Sequence, residues 1–161
     1  MKYLLVVVFV IVYVSFGLEL GFTSAGPAWK HFTYLFQHGS IMHLVLNCIS
    51  WLALFGALER FYRPRTIMLV SVAVAVAVSF VVNYTVPVVG ASGMIYCMIG
   101  MYMCLIVRKR VRFAYKINLI MFFVSVFTFL AISFFKANSA GMLHLLCLVG
   151  GFGFVVIKKN A

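Results

Sequence analysis

Six long apolar stretches, at about residues 3–18, 41–58, 66–83, 92–107, 117–135 and 142–157, leave this chain little length for anything else. Each approaches the roughly 20 residues that a helix needs to cross a hydrocarbon core of about 30 Å. Inside hydrocarbon a backbone has to satisfy its own hydrogen bonds, and an apolar run of this length does so as a helix. The expected fold is therefore all-α: a polytopic membrane protein of six transmembrane helices, forming one domain over residues 1–161. Several stretches fall short of 20 residues, which predicts a thin bilayer or local thinning around the protein. Composition agrees, since 66% of the residues are hydrophobic, against roughly 45–50% apolar usage in soluble domains.

A formal charge of +11 suggests nucleic acid until the cations are placed along the chain. Counting connections alternately, one side carries Lys2, then Arg60, Arg63 and Arg65, then Arg108, Lys109, Arg110, Arg112 and Lys116, then Lys158 and Lys159. The other side carries Lys30 and Lys136. Cations split among separate loops make no nucleic-acid patch, but they do orient a membrane protein, and both termini are expected in the cytoplasm. Lys2 followed by an apolar run, with Ser15 and Gly17 beyond it, also permits a cleaved leader. Against that, the run continues through Phe16 and Leu18, and its loss would remove a packing partner from the other helices. Short length without a targeting extension points to a bacterial plasma membrane. Cys48, Cys97, Cys104 and Cys147 all lie within apolar stretches and form no C-x-x-C pair, so they read as small buried residues and not as zinc ligands or disulfides.

Polar residues within spans are costly to insert, and each is a functional candidate until a structural partner explains it. Here they gather in one layer. His43 and Asn47 open the second stretch, Ser92 the fourth and His144 the sixth. Even-numbered spans all begin on the outer face, so these residues share a depth beneath it. His43 and Asn47 are one helical turn apart on one face, a spacing that helix packing alone also produces. Gly90-Ala-Ser-Gly93 is a small-residue patch that lets helices approach closely. Ser92, Tyr96, Gly100 and Cys104 then recur every four residues, and Gly141, His144, Cys147 or Leu148, and Gly151 form a matching stripe. Two such faces bring a serine hydroxyl to an imidazole, which is what an alcohol needs to become a nucleophile. His144 is the candidate base. The Ser92 backbone N–H, His43 and Asn47 are candidate donors to an oxyanion. The chain has no aspartate, and its carboxylates are Glu19 and Glu59. Unless Glu19 bends over the site, the pair is a dyad without an acidic orienter, and Tyr96 is placed to stack on the imidazole. Aspartyl and H-E-x-x-H zinc chemistry lack their residues, so no metal or cofactor is expected.

These motifs resemble those of the rhomboid family of intramembrane serine proteases. His43-Leu-Val-Leu-Asn47 is similar to the family's H-x-x-x-N, Gly90-Ala-Ser-Gly93 to its G-x-S-G, and Gly141-Met-Leu-His144 falls where its last-helix histidine is expected. Trp29-Lys30 resembles a Trp-Arg signature, and Phe55-Gly56-Ala-Leu-Glu59 an F-G-x-x-E ending. The resemblance implies a six-helix bundle around a water-accessible cavity open to the outside, with the first connection lying partly in the membrane. It implies Ser92 as nucleophile, His144 as base, His43 and Asn47 as oxyanion donors, and Gly90, Gly93 and Tyr96 in support. The expected substrates are transmembrane proteins within the lipid bilayer. Cys147 stands where the family usually has glycine, which predicts a wider separation from the fourth span; Lys30 for arginine predicts weaker hydrogen bonding in the first connection. His38 matches a histidine often present in the family or is a packing residue, and His31 is expected at the interface. The fifth span, rich in phenylalanine, is a candidate lateral gate against the second. The alternatives are a catalytically silent rhomboid-like binder of membrane clients and a small transporter.

Overall fold

The computed structural model describes residues 1–135 and 140–158; Lys136 and Lys159 of the charge reading lie outside the described residues. The long helices are α1 (Lys2–Ser15), α3 (Ile41–Leu58), α4 (Pro64–Ser79), α5 (Ser92–Val107), α6 (Lys116–Phe135) and α7 (Gly141–Ile157), with a short α2 (Lys30–Thr33) in the first connection. A 3₁₀ turn covers Leu18–Leu20. The architecture is all-helical among the described residues, with one isolated antiparallel bridge between Phe22 and Val88. By length and composition α3 and α6 can each cross a membrane; α1, α4, α5 and α7 are apolar but shorter.

Local chemistry sets the helix ends. Ser40 caps α3 by accepting from the His43 backbone N–H at 3.2 Å. Pro64 opens α4 at a position whose N–H needs no partner. At the end of α5 the Arg110 N–H returns to the Leu105 carbonyl at 2.9 Å, with Lys109 in the left-handed region at φ 56°. The Tyr84 hydroxyl accepts from the Leu143 N–H at 3.3 Å in the first turn of α7.

Helix α5 lies at the centre, packed by α3, α4 and α7. Its contact with α7 is the tightest in the molecule, because a side chain on Gly100 would collide with the backbone carbonyl of Leu148, and one on Gly151 with that of Cys97. With no hydrophobic drive between helices in lipid, such close backbone approach is what holds them together. Helix α1 is tied to α3 by an ion pair between Lys2 and Glu59 and by the Trp51 indole N–H donating to the Lys2 carbonyl at 3.2 Å. Glu59 of the F-G-x-x-E motif is thereby a structural clasp, far from any chemistry. Helix α6 packs mainly on α7 and leaves most of its surface exposed.

The first connection is folded onto the body of the protein. Phe22 and Val88 exchange backbone hydrogen bonds at 3.1 and 2.9 Å, and the Gly90 N–H donates to the Tyr34 carbonyl at 2.9 Å. The buried Tyr34 hydroxyl donates to the Ala75 carbonyl of α4 at 3.0 Å. His31, expected at the interface, is instead buried: its Nδ1 lies 3.0 Å from the Ser79 hydroxyl and its ring stacks on Phe80 with centroids 4.0 Å apart. Burial pushes its pKa below the ordinary histidine value. The exposed aromatics of this connection are Trp29 and Phe32, and Lys30 lies over the Trp29 ring at 5.5 Å.

Candidate active site

The site is assembled from the starts of three helices and the far end of a fourth. Ser92 is the first residue of α5 and His144 lies in the first turn of α7. His144 Nε2 is 2.8 Å from Ser92 Oγ, with the imidazole only 8% exposed. Both residues stand on the α5–α7 seam that Gly100 and Gly151 close two turns further on, so the approach of the backbones sets the approach of the side chains. Tyr96, one turn below Ser92, stacks on the imidazole as its spacing predicts, with centroids 4.4 Å apart and planes 17° from parallel. Gly93 lets the start of α5 settle against both neighbours, since a β-carbon there would sit 3.0 Å from Leu143 and 3.3 Å from Ala75.

Gly90 supplies the turn that delivers Ser92. Its φ of +122° belongs to glycine, and a β-carbon would lie 2.7 Å from His43 Cε1, 2.8 Å from His43 Nε2 and 3.4 Å from Asn47 Nδ2. The two α3 side chains therefore converge on the backbone just before the serine. Asn47 is 6% exposed, and its Nδ2 donates to no acceptor among the described residues. His38 is buried between the Phe9 ring, 5.1 Å away, and the His43 ring, 5.2 Å away, which fits its packing reading. Burial and the neighbouring His43 push its pKa down to about 4, so it is neutral at physiological pH.

Cys147 is fully buried in the seam, with Ser92 and His144 at 2.8 Å. A thiol is small enough to pack where Gly100 and Gly151 already fix the backbone distance. Glu19 does not bend over the site, and beside the Tyr96 stack the imidazole has a further partner that the sequence reading lacks. Glu19 is exposed and Glu59 is paired with Lys2, whereas His144 Nδ1 lies 3.0 Å from the Ser133 hydroxyl of α6. Ser133 carries little sequence signal, being one of two serines in a phenylalanine-rich run. Its signal was its depth, since odd-numbered spans end on the face where even-numbered spans begin.

This geometry defines a helical protein with a partly buried, hydrogen-bonded serine–histidine pair. A family profile described as Rhomboid domain matches residues 25–160, and the chain belongs to the Rhomboid family, whose members are integral membrane proteins. It is similar to Rhomboid-related protein 3 of Homo sapiens, at 39% identity over 84 residues, covering 50% of this chain and 21% of that protein. It is similar to the putative rhomboid protease YdcA of Bacillus subtilis, at 28% identity over 150 residues, 89% of this chain and 74% of the relative. Rhomboid protease GlpG of Klebsiella pneumoniae is 32% identical over 75 residues, 45% of this chain and 27% of that protein. The chain thus matches about a fifth to a quarter of the human and Klebsiella relatives, and about three quarters of the Bacillus one.

Proposed function

We propose that this protein is an intramembrane serine endopeptidase that hydrolyses peptide bonds in transmembrane segments of other proteins. The observation that carries the reading is the 2.8 Å hydrogen bond between Ser92 Oγ and His144 Nε2 in a Rhomboid-family chain. Ser92 Oγ attacks the scissile carbonyl carbon as its proton passes to His144 Nε2. The Ser92 backbone N–H, His43 and Asn47 donate to the oxyanion that forms. The imidazolium then protonates the leaving nitrogen, the C–N bond breaks, and an acyl ester remains on Ser92. Water, deprotonated by His144, hydrolyses that ester and restores the serine.

All six long helices cross the membrane in this reading, within one domain, and both termini face the cytoplasm on the side where the cations concentrate. The starts of α3, α5 and α7 then lie under the outer surface, where a substrate helix has to unwind to present a carbonyl. Helix α6 packs chiefly on one neighbour, α7, and leaves most of its surface exposed, which supports its movement as the entrance for substrate. Its ring contacts run to Tyr102 and Phe113 and along itself, with none to α3 among the described residues.

A serine-directed fluorophosphonate is expected to label the wild-type chain and not Ser92→Ala. Equal labelling of both, or of neither, overturns the reading. Asn47→Ala is expected to lower kcat for cleavage by about 10²–10³, the usual cost of one oxyanion donor. Rate measurement on a transmembrane substrate in reconstituted vesicles checks this, with Ser92→Ala as the zero.

A further inference from the structure

We propose that Ser133 on α6 is a positioning residue that sets the tautomer of His144. The inference rests on the catalytic reading of Ser92 and His144 and extends it to a helix that carries neither. Ser133 Oγ lies 3.0 Å from the Phe129 carbonyl, four residues back on the same helix, and 3.0 Å from His144 Nδ1. A carbonyl only accepts, so the single hydroxyl proton of Ser133 is committed to Phe129. The Ser133 oxygen is then left to accept, and it accepts a hydrogen bond from His144 Nδ1–H, which keeps its proton. That places the lone pair of the neutral imidazole on Nε2, facing the Ser92 hydroxyl. The Ser92 proton accordingly points at the atom that has to receive it, and no carboxylate is required.

A second observation holds Ser133 there independently of that bond. A β-carbon on Gly141 would lie 2.8 Å from the Ser133 carbonyl oxygen and 3.0 Å from the Phe134 ring, so α7 begins in direct contact with this turn of α6. Gly141 precedes His144 by three residues and shares its face. Ser133 also completes the packed stripe of α6 that runs through Leu119, Phe122, Val126 and Leu130. Because α6 leans chiefly on α7, the orienting hydroxyl rides on a helix held along one side only. Outward movement of α6 withdraws it from Nδ1, and its return restores the reactive tautomer.

The test uses the full chain in detergent micelles with ¹⁵N-labelled histidine, the His144 resonances being identified by their loss in His144→Ala. The wild type is expected to show Nδ1 protonated and Nε2 bare. Ser133→Ala is expected to shift the ring toward the Nε2–H form and to lower kcat about 10-fold at unchanged KM, and Ser133→Thr, which keeps the hydroxyl, is expected to recover both. A wild-type ring protonated on Nε2, or an identical ring spectrum in Ser133→Ala, overturns the proposal. Failure of the catalytic reading has a different signature, since the tautomer shift would then occur in a chain whose wild type takes no fluorophosphonate.

Discussion

Replacing His144 by alanine is expected to reduce cleavage of a transmembrane substrate by about 10⁴-fold or more while the protein remains folded. The size follows from the role: removing either member of a serine–histidine pair abolishes the cooperation between them, and losses up to about 10⁶ are known for such pairs. The imidazole receives the Ser92 proton across 2.8 Å, and of the two carboxylates Glu59 is paired with Lys2 and Glu19 is exposed. Stability should change far less. The ring is held by a stack on Tyr96 and by hydrogen bonds at its two ends, contacts local to the helix starts, while the α5–α7 seam at Gly100 and Gly151 is untouched by the change. Ser92 in the variant should also lose its fluorophosphonate labelling, because its hydroxyl has no acceptor to activate it. Single-turnover cleavage in vesicles, together with thermal unfolding in detergent, separates the two effects. A variant that unfolds with the wild type yet cleaves within 10-fold of it would refute the base assignment.

Gly151→Ala is expected to be among the most damaging single-methyl changes in the protein. The new β-carbon would overlap the Cys97 carbonyl, and neither atom belongs to a flexible side chain, so the helices have to separate. Overpacking of this kind costs about 1–3 kcal/mol in ordinary cores, and the clash here is with backbone. Separation along the seam also lengthens the Ser92–His144 contact, and a displacement of about 1 Å in reacting groups is worth roughly 10²-fold in rate. Gly100→Ala should behave alike, since its β-carbon meets the Leu148 carbonyl. Gly153→Ala is the control on the same helix, because nothing lies within 4 Å of its added carbon. Melting temperature and cleavage rate should fall together for the first two variants and stay put for the third.

Much of this was readable from the chain because hydrocarbon allows so few solutions. The stretches 41–58 and 92–107 coincide with α3 and α5, whose starts are written in Ser40 and in Gly90-Ala-Ser-Gly93. The stretch 66–83 was misjudged at both ends: Pro64 starts α4 earlier, and the chain leaves the helix after Ser79 although Phe80 to Val82 are as apolar as what precedes them. Hydropathy cannot register that turn, which is fixed by tertiary contacts such as the Phe80–His31 stack and the bridge at Val88. The same limit hid His31. Ser92, His144, His43 and Asn47 were legible because each is a polar residue at one depth, and Tyr96 because it is one turn from Ser92. Ser133 obeyed the same depth rule and was passed over, since on an apolar helix a serine satisfied by its own backbone gives no sign that its other lone pair is in use.

Helix length adds a physical lever on this arrangement. At 1.5 Å per residue the 20 residues of α6 rise about 30 Å, whereas the 16 of α5 rise about 24 Å. A lipid environment matched to one is mismatched to the other, and tilting is the inexpensive accommodation for a helix held along one side. In the six-span reading proposed above, acyl-chain length in the surrounding bilayer acts as a mechanical setting on α6: thick membranes stand it upright, and thin ones lay it over.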